Sequence, residues 1–334
     1  MRYIINTFFL TILNASFGLN LFNYWHCIGI SNKIDLSKPY SINIGELPLV
    51  IWKDKKNNKL LSTINICKHM GSKLSNGKIT ENGCLKCQYH GLEISENDKF
   101  GEAIEYEGKL FWAIDPIKKK PEGLPYFNNN NYEKIYLEID MECSLVDSAY
   151  NTMDLRHPEY VHSQLMGGFG SNIPPENIKC FKYKSNDRVG LSFDYSANKI
   201  IKFLNENISQ TNNFHMYVYP SFSWSKVSIN NKNLIIGVNL LPLEKNKTRW
   251  YITVCHNYYK SEWGKNFMKI LTLTILNQDF IQMQNQYIDN DLKNAILFKH
   301  MFNDEEPILE LRNMFKDYKY PDIKLCVDLY MNQK

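Results

Sequence analysis

Short apolar runs broken by polar turns fill the first third of the chain. Pro48–Asp54 and Lys59–Ile66 are two such runs, and Lys55-Lys56-Asn57-Asn58 between them predicts a hairpin. Ala103–Tyr106 and Lys109–Asp115 flank Glu107-Gly108, which predicts a second, tighter hairpin. Residues 23–117 therefore predict a small antiparallel β domain. A break in the pattern follows at Pro116–Pro125, where three lysines and Gly123 lie between prolines; residues 118–125 read as a linker. Residues 126–334 predict a second domain. It opens with a strand at Tyr132–Cys143. Alternating runs follow at Lys179–Tyr183, Val189–Tyr195, Phe214–Tyr219, Phe222–Ile229, Leu234–Leu241 and Arg249–Tyr258. Ser261–Asp289 has a helical pattern, with Ser261 as cap and Glu262 in the first turn. The predicted fold class is α+β.

Residues 1–22 form an apolar N-terminal segment carrying Asn6, Asn14 and Asn20, three amides that argue against a spanning helix. Two readings stand: a targeting segment, or a helix lying against the globule. The Ala15-Ser16-Phe17 junction resembles the leaders of plastid-imported proteins.

Composition narrows the picture by exclusion. An apolar content of 44% with 13% aromatic residues excludes a disordered chain. The net charge of +4 is spread along the sequence, so no nucleic-acid stripe is expected. Eight cysteines without regular spacing exclude a disulfide framework and point to a reducing compartment. Cys27, Cys84, Cys143, Cys180, Cys255 and Cys326 read as small core residues, Cys84 as a reduced strand thiol. His26 reads as core beside Cys27, and His215, His256 and His300 as structural or surface histidines.

The remaining two cysteines carry chemistry. Cys67-Lys68-His69 and Cys87-Gln88-Tyr89-His90 each mix a thiol with an imidazole. Zinc accepts two Cys and two His but usually pairs like ligands within a loop. A [2Fe–2S] centre of Rieske type takes two thiolates on one iron and two imidazoles on the other, so each loop has to reach both irons. Gly71 and Gly91, each close behind its His, allow the sharp turns this needs.

Cys67-Lys68-His69-Met70-Gly71 and Cys87-Gln88-Tyr89-His90-Gly91 resemble the Rieske family, and a second stretch widens the resemblance. Asn151-x-x-Asp154-x-x-His157-x₄-His162 is similar to the mononuclear-iron motif of the Rieske non-haem iron oxygenases. Two His and one carboxylate leave a face of Fe(II) open, the arrangement of non-haem iron oxygenases. By this resemblance His157 and His162 are iron ligands, and Asn151 is an amide behind them. Asp154 links the iron ligand to a cluster histidine of a neighbouring subunit. Gln278-Asp279 resembles the family's third-ligand stretch, which makes Asp279 the carboxylate, with Glu262 and Asp289 next in line. Two positions depart from the family: Met70 stands where Arg is common and Leu92 where Trp is frequent.

The resemblance implies a terminal oxygenase component of the monooxygenase and O-demethylase branch, which includes pheophorbide a oxygenase-like enzymes. Its implied fold is a Rieske antiparallel β domain followed by a helix-grip (START-like) catalytic domain. The implied cofactors are a [2Fe–2S] cluster and a mononuclear Fe(II), with O₂ as co-substrate. A reductase or ferredoxin would supply NAD(P)H-derived electrons, and the assembly would be a homotrimer. Leu165, Met166, Phe169, Phe214, Met216 and Trp224 are candidates for the wall of a pocket holding a small apolar or aromatic substrate. Location in the cytoplasm is expected, with a plastid or membrane association through residues 3–22 as alternatives. A rival reading is an electron-transfer or ligand-binding protein whose catalytic iron site is inactive.

Overall fold

The computed structural model describes residues 21–163, 176–183, 187–196, 210–286, 291–301, 305–318, 320, 327 and 330. Residues 3–20 of the apolar N-terminal segment, and the candidate wall residues Leu165, Met166 and Phe169, lie outside these. Two compact units divide the chain: Met1–Pro121 with Lys319–Lys334, and Glu122–Tyr318. No helix among the described residues is long and apolar enough to cross a membrane.

The first unit contains β1 (His26–Ile30), β2 (Tyr40–Ile44), β3 (Leu47–Lys53), β4 (Leu60–Ile64), β5 (Lys78–Ile79), β6 (Leu85–Lys86), β7 (Glu93–Ile94), β8 (Glu102–Tyr106) and β9 (Lys109–Ala113). They pair as three antiparallel sheets, ordered β1–β9–β8, β2–β3–β4 and β5–β6–β7. β9 is buried along its whole length because it lies in the middle of its sheet. Both predicted hairpins form. Glu107 and Gly108 take φ values of 48° and 70°, the left-handed pair a two-residue turn needs. In the other, the Asp54 carboxylate accepts from the Lys56 amide and the Asn57 side chain, and Asn58 turns left-handed at φ 57°. Val50, Trp52, Leu61, Leu74, Leu85 and Ile94 make a core into which Cys67 and Cys87 are also packed. His26 is a core residue, as expected, and burial pushes its pKa down to about 4 despite the bond to the Leu21 carbonyl.

The C-terminal boundary differs from the sequence reading, which ran the second domain to residue 334. Tyr330 is buried in the first unit: its hydroxyl accepts from Thr63 Oγ1 at 3.2 Å, and its ring meets Phe100 edge-on at 5.5 Å. Lys68 Nζ stands 5.1 Å from the centre of that ring and 3.0 Å from Asp98. Aromatic burial and a cation–π contact, which apolar patterning cannot place, return this residue to the β domain.

The second unit contains β10 (Glu133–Met141), α1 (Leu145–Met153), α2 (His157–Tyr160), β11 (Glu176–Lys182), β12 (Arg188–Ser196), β13 (Gln210–Val218), β14 (Phe222–Ile229), β15 (Lys232–Glu244) and β16 (Lys247–His256). After them come α3 (Glu262–Gln284), α4 (Asp291–Ile296) and α5 (Glu306–Met314). The seven strands form one antiparallel sheet in the order β10–β16–β15–β14–β13–β12–β11. This is the α+β architecture the pattern predicted. α3 starts on its predicted cap, where Ser261 Oγ accepts from the Gly264 amide at 3.1 Å. α5, which the sequence reading did not pick out, opens on Glu306-Pro307 and buries Ile308 and Leu311.

One face of the sheet carries the helices. Trp250 Nε1 donates to Ser148 Oγ of α1 at 2.9 Å, and Glu133 pairs with Lys265 of α3 at 2.9 Å. Register carries this face across the sheet, because directly opposed residues share a side. Trp250 lies opposite Leu240; four pairs along, and so on the same side, Ile236 is opposite Ser225, which is opposite His215. His215 therefore faces the helices, and is no surface residue. Phe214, Met216 and Trp224 face the other way, packed with Leu124, Tyr132, Ile235 and Cys255. The expectation that these three wall the pocket is corrected: alternation along β13 and β14 puts them on the far side of the sheet.

Two outcomes test this packing. Tyr330→Ala is expected to cost roughly 3 kcal/mol, as aromatic deletions from a core do, seen as lower thermal stability of the first unit. In the second unit, Arg249 holds the Asp140 carboxyl below its usual range through two bonds of 2.5 and 2.9 Å. A depressed carboxyl stabilises the fold above its unfolded pKa of about 3.9 and loses that contribution as pH falls through the folded value. Asp140→Asn should thus be about 1 kcal/mol less stable than wild type at pH 7, and chemical denaturation at acid pH should show the gap closing.

Candidate metal centres

In the first unit, two loops are closed by the same pair of backbone bonds. The Cys67 amide donates to the Ser72 carbonyl at 2.8 Å, and the Gly71 amide to the Cys67 carbonyl at 2.9 Å. Cys87 and Leu92, then Gly91 and Cys87, repeat this at 2.8 and 3.0 Å. Each glycine has a left-handed backbone, φ 73° and 75°, which a side chain would strain. His69 is two residues after its Cys and His90 three, so loops of equal size absorb the unequal spacing seen in the sequence. Both thiols are buried, both imidazoles are exposed, and the two rings stand 4.6 Å apart between centroids.

The environment of Cys87 favours its thiolate. Burial alone would push the thiol up, but the Tyr89 and His90 amides and the Cys67 and Ser72 side chains outweigh it and leave the pKa lowered. Two buried thiols opposite two exposed imidazoles fit a [2Fe–2S] centre, whose irons take unlike ligand pairs. Among the described residues, the only His, Cys, Asp or Glu ligand atoms gathered closely enough for one ion are elsewhere, at His157, His162 and Asp279. A single zinc is therefore the poorer fit to the two loops. Cys84 is a free thiol one residue before β6, outside the strand that the sequence reading gave it. Met70 and Leu92, the two departures from the family pattern, are exposed, as is Tyr89.

In the second unit, a broken helix creates the other centre. α1 ends at Met153, and Asp154 Oδ1 accepts from the Arg156 and His157 amides at 2.8 and 3.3 Å, which starts α2. The break thus precedes His157, and Pro158 sits in the first turn of α2, where proline is tolerated. α2 and the turn after it carry His157 and His162, while α3 brings Asp279 to them. His157 Nε2 and His162 Nε2 lie 3.6 and 3.2 Å from Asp279 Oδ1, and the ligand atoms of the three residues are all within 4.8 Å of one another. Glu262, the runner-up carboxylate, is about 25 Å away along α3, and Asp289 is outside the described residues.

Both imidazoles are tied at their other nitrogen. His157 Nδ1 is 2.9 Å from the Asp154 backbone carbonyl, so the carbonyl, and not the carboxylate, holds this ring. His162 Nδ1 is 2.8 Å from Gln278 Oε1, a contact between residues 116 apart that no local sequence pattern shows. Asn151 Nδ2 donates to Asp279 Oδ1 at 3.4 Å. Burial pushes His157 down against the pull of Asp154 and Asp279, whereas His162, opposed by burial, is raised by its bond to Asp279. His215 lies against Phe193, and its pKa falls to about 3, first through burial and then through the nearby His157. Two neutral-capable nitrogens and a carboxylate of this donor set fit a mononuclear Fe(II).

Comparison with known proteins supports a [2Fe-2S] cluster in the first unit. The model of the Rieske [2Fe-2S] domain matches residues 24–109. Pheophorbide a oxygenase, chloroplastic, of Oryza sativa subsp. japonica is 23% identical over 280 residues, which cover 71% of this chain and 50% of that protein. The oxygenase component of dicamba O-demethylase from Stenotrophomonas maltophilia is 26% identical over 162 residues, covering 42% of this chain and 47% of that one. The chain spans about half the length of these curated relatives in the matched regions. The crystal structure of dicamba monooxygenase bound to 3,6 dichlorosalicylic acid superposes with a TM-score of 0.70 at 14% identity, covering 93% of this chain and 99% of that one. That likeness gives the fold.

A Cβ added at Gly71 would meet nothing within 4 Å, so the left-handed backbone alone resists a side chain there. Gly71→Ala is expected to cost roughly 1–2 kcal/mol, read by thermal denaturation, with the second unit unchanged.

Proposed function

We propose that this chain, which belongs to the Rieske-type oxygenases, works as an oxygenase component on an apolar or aromatic organic substrate. One observation carries the reading: three ligand side chains from α2, the turn after it and α3 converge at Asp279, in a chain that also holds a Rieske domain. Cys67, His69, Cys87 and His90 would hold the cluster; His157, His162 and Asp279 would hold the mononuclear iron. When bound, the cluster supplies single electrons and the iron supplies a site at which O₂ is activated.

The chain's own residues prepare that chemistry. Asp279, buried between two imidazoles, places a carboxylate oxygen where a cation is to sit. Asn151 donates to it and limits its rotation. Asp154 starts α2 with its carboxylate and orients His157 with its carbonyl, and its charge favours a cationic neighbour. The linking role between subunits that the family resemblance implies for Asp154 belongs to this proposal, with a homotrimer as the assembly. An electron-donating reductase or ferredoxin is the expected partner. The names of the relatives, an oxygenase and an O-demethylase, support monooxygenation or demethylation over dihydroxylation. A plastid location has the support of the chloroplastic relative, and the cytoplasm is the alternative.

Metal analysis after anaerobic purification tests the reading. Three irons and two acid-labile sulfides per chain are expected, with O₂ uptake that depends on reductant and on an aromatic substrate from a screen. Cys67→Ser or His90→Ala should lose the Rieske EPR signal and retain the isolated iron. His157→Ala, His162→Ala and Asp279→Ala should lose the isolated iron and all O₂ uptake while the signal persists. Two irons per wild-type chain, with no uptake, would replace the oxygenase by an electron-transfer protein.

A further inference from the structure

The two imidazoles of the second unit are oriented by the same bond from different carriers. A metal-bound imidazole has one nitrogen on the metal, and a hydrogen bond at the other fixes its tautomer and raises its basicity. For His157 that acceptor is the Asp154 backbone carbonyl, 2.9 Å from Nδ1, which no substitution at 154 removes. For His162 it is the Gln278 side chain, 2.8 Å from Nδ1. Gln278 adjoins Asp279 on α3, so one rigid helix both approaches His162 Nε2 with a carboxylate and holds its Nδ1 with an amide oxygen. His162 is 2% exposed, so water has little access to replace a lost acceptor.

We propose that Gln278 is a positioning residue that holds His162 with its proton on Nδ1 and thereby sets the metal affinity of the His157, His162 and Asp279 group. The inference rests on the reading of that group as a metal site. An amide oxygen accepts and does not donate. It therefore keeps a proton on Nδ1 and makes Nε2, which faces His157 Nε2 and Asp279 Oδ1, the nitrogen that a metal would take. Position 278 supplies its acceptor from a side chain, so a substitution there can change the bond at the far nitrogen of His162, whereas the acceptor for His157 is backbone. A neutral acceptor gives modest basicity, and a carboxylate in its place would give more.

Cobalt(II) titration of the full-length protein, stripped of its isolated iron and retaining its cluster, tests this. Affinity is read by competition with a chelator, and geometry by the visible d–d bands. Gln278→Met keeps the length of the side chain without a comparable acceptor and should bind cobalt 10- to 100-fold more weakly. Gln278→Glu should bind at least as tightly as wild type, with shifted d–d bands. Affinity within twofold of wild type in a folded Gln278→Met protein overturns the proposal. Should Gln278→Met fail to fold, Gln278→Glu decides alone, and unchanged affinity with unchanged bands overturns it. His162→Ala is the separate control. If it binds cobalt as wild type does, the metal site itself is misassigned, and the result is distinguishable from a failure at Gln278.

Discussion

A carboxylate buried as deeply as Asp279 is tolerated only with partners in place, because desolvation of a lone charge costs several kcal/mol. Much of the second unit answers that constraint. The chain breaks between α1 and α2 so that two imidazoles, five residues apart, reach one oxygen, a geometry an unbroken helix would splay. α3 begins on a Ser cap and keeps Asp279 on its buried side, in line with Thr272, Leu276 and Met283. The sheet supplies the opposing wall, with His215 and Phe193 on the side that faces the helices.

The first unit solves a different problem. Two loops of different ligand spacing have to present matched sulfurs and matched rings. Backbone hydrogen bonds fix the loop size, and the spacing difference is taken up within each loop. Burial then sorts the ligands: the thiols are packed with Val50, Trp52 and Leu85, and the imidazoles remain at the surface. Ligand type and depth follow from one packing arrangement.

How far the sequence reaches depends on the kind of information needed. The Cys and His loops were legible because ligand identity and short spacing are local properties, and so were the hairpins at Asn58 and Glu107-Gly108. Asp279 was legible only through resemblance, since a helical Asp in isolation has no distinguishing pattern. Phe214, Met216 and Trp224 were candidates for a pocket wall because alternation cannot say which face of a strand meets the helices. That took the register through β14, β15 and β16 to Trp250. Gln278 was invisible because its partner lies 116 residues away, and the contact depends on how α3 rotates about its axis.

Tyr330 carries a consequence for biosynthesis. The β domain comes first in the chain, yet one of its core aromatics is made after the whole of the second unit. An emerging first unit lacks the ring that packs on Phe100 and Lys68 until translation passes residue 330. N-terminal domains generally fold first as they leave the ribosome; here the earlier domain finishes last. The loop bearing Cys67 and His69 has its own backbone bonds and the Lys68–Asp98 pair early, but gains the Tyr330 ring only on a chain translated through both units, which couples completion of the first metal centre's scaffold to synthesis of the second.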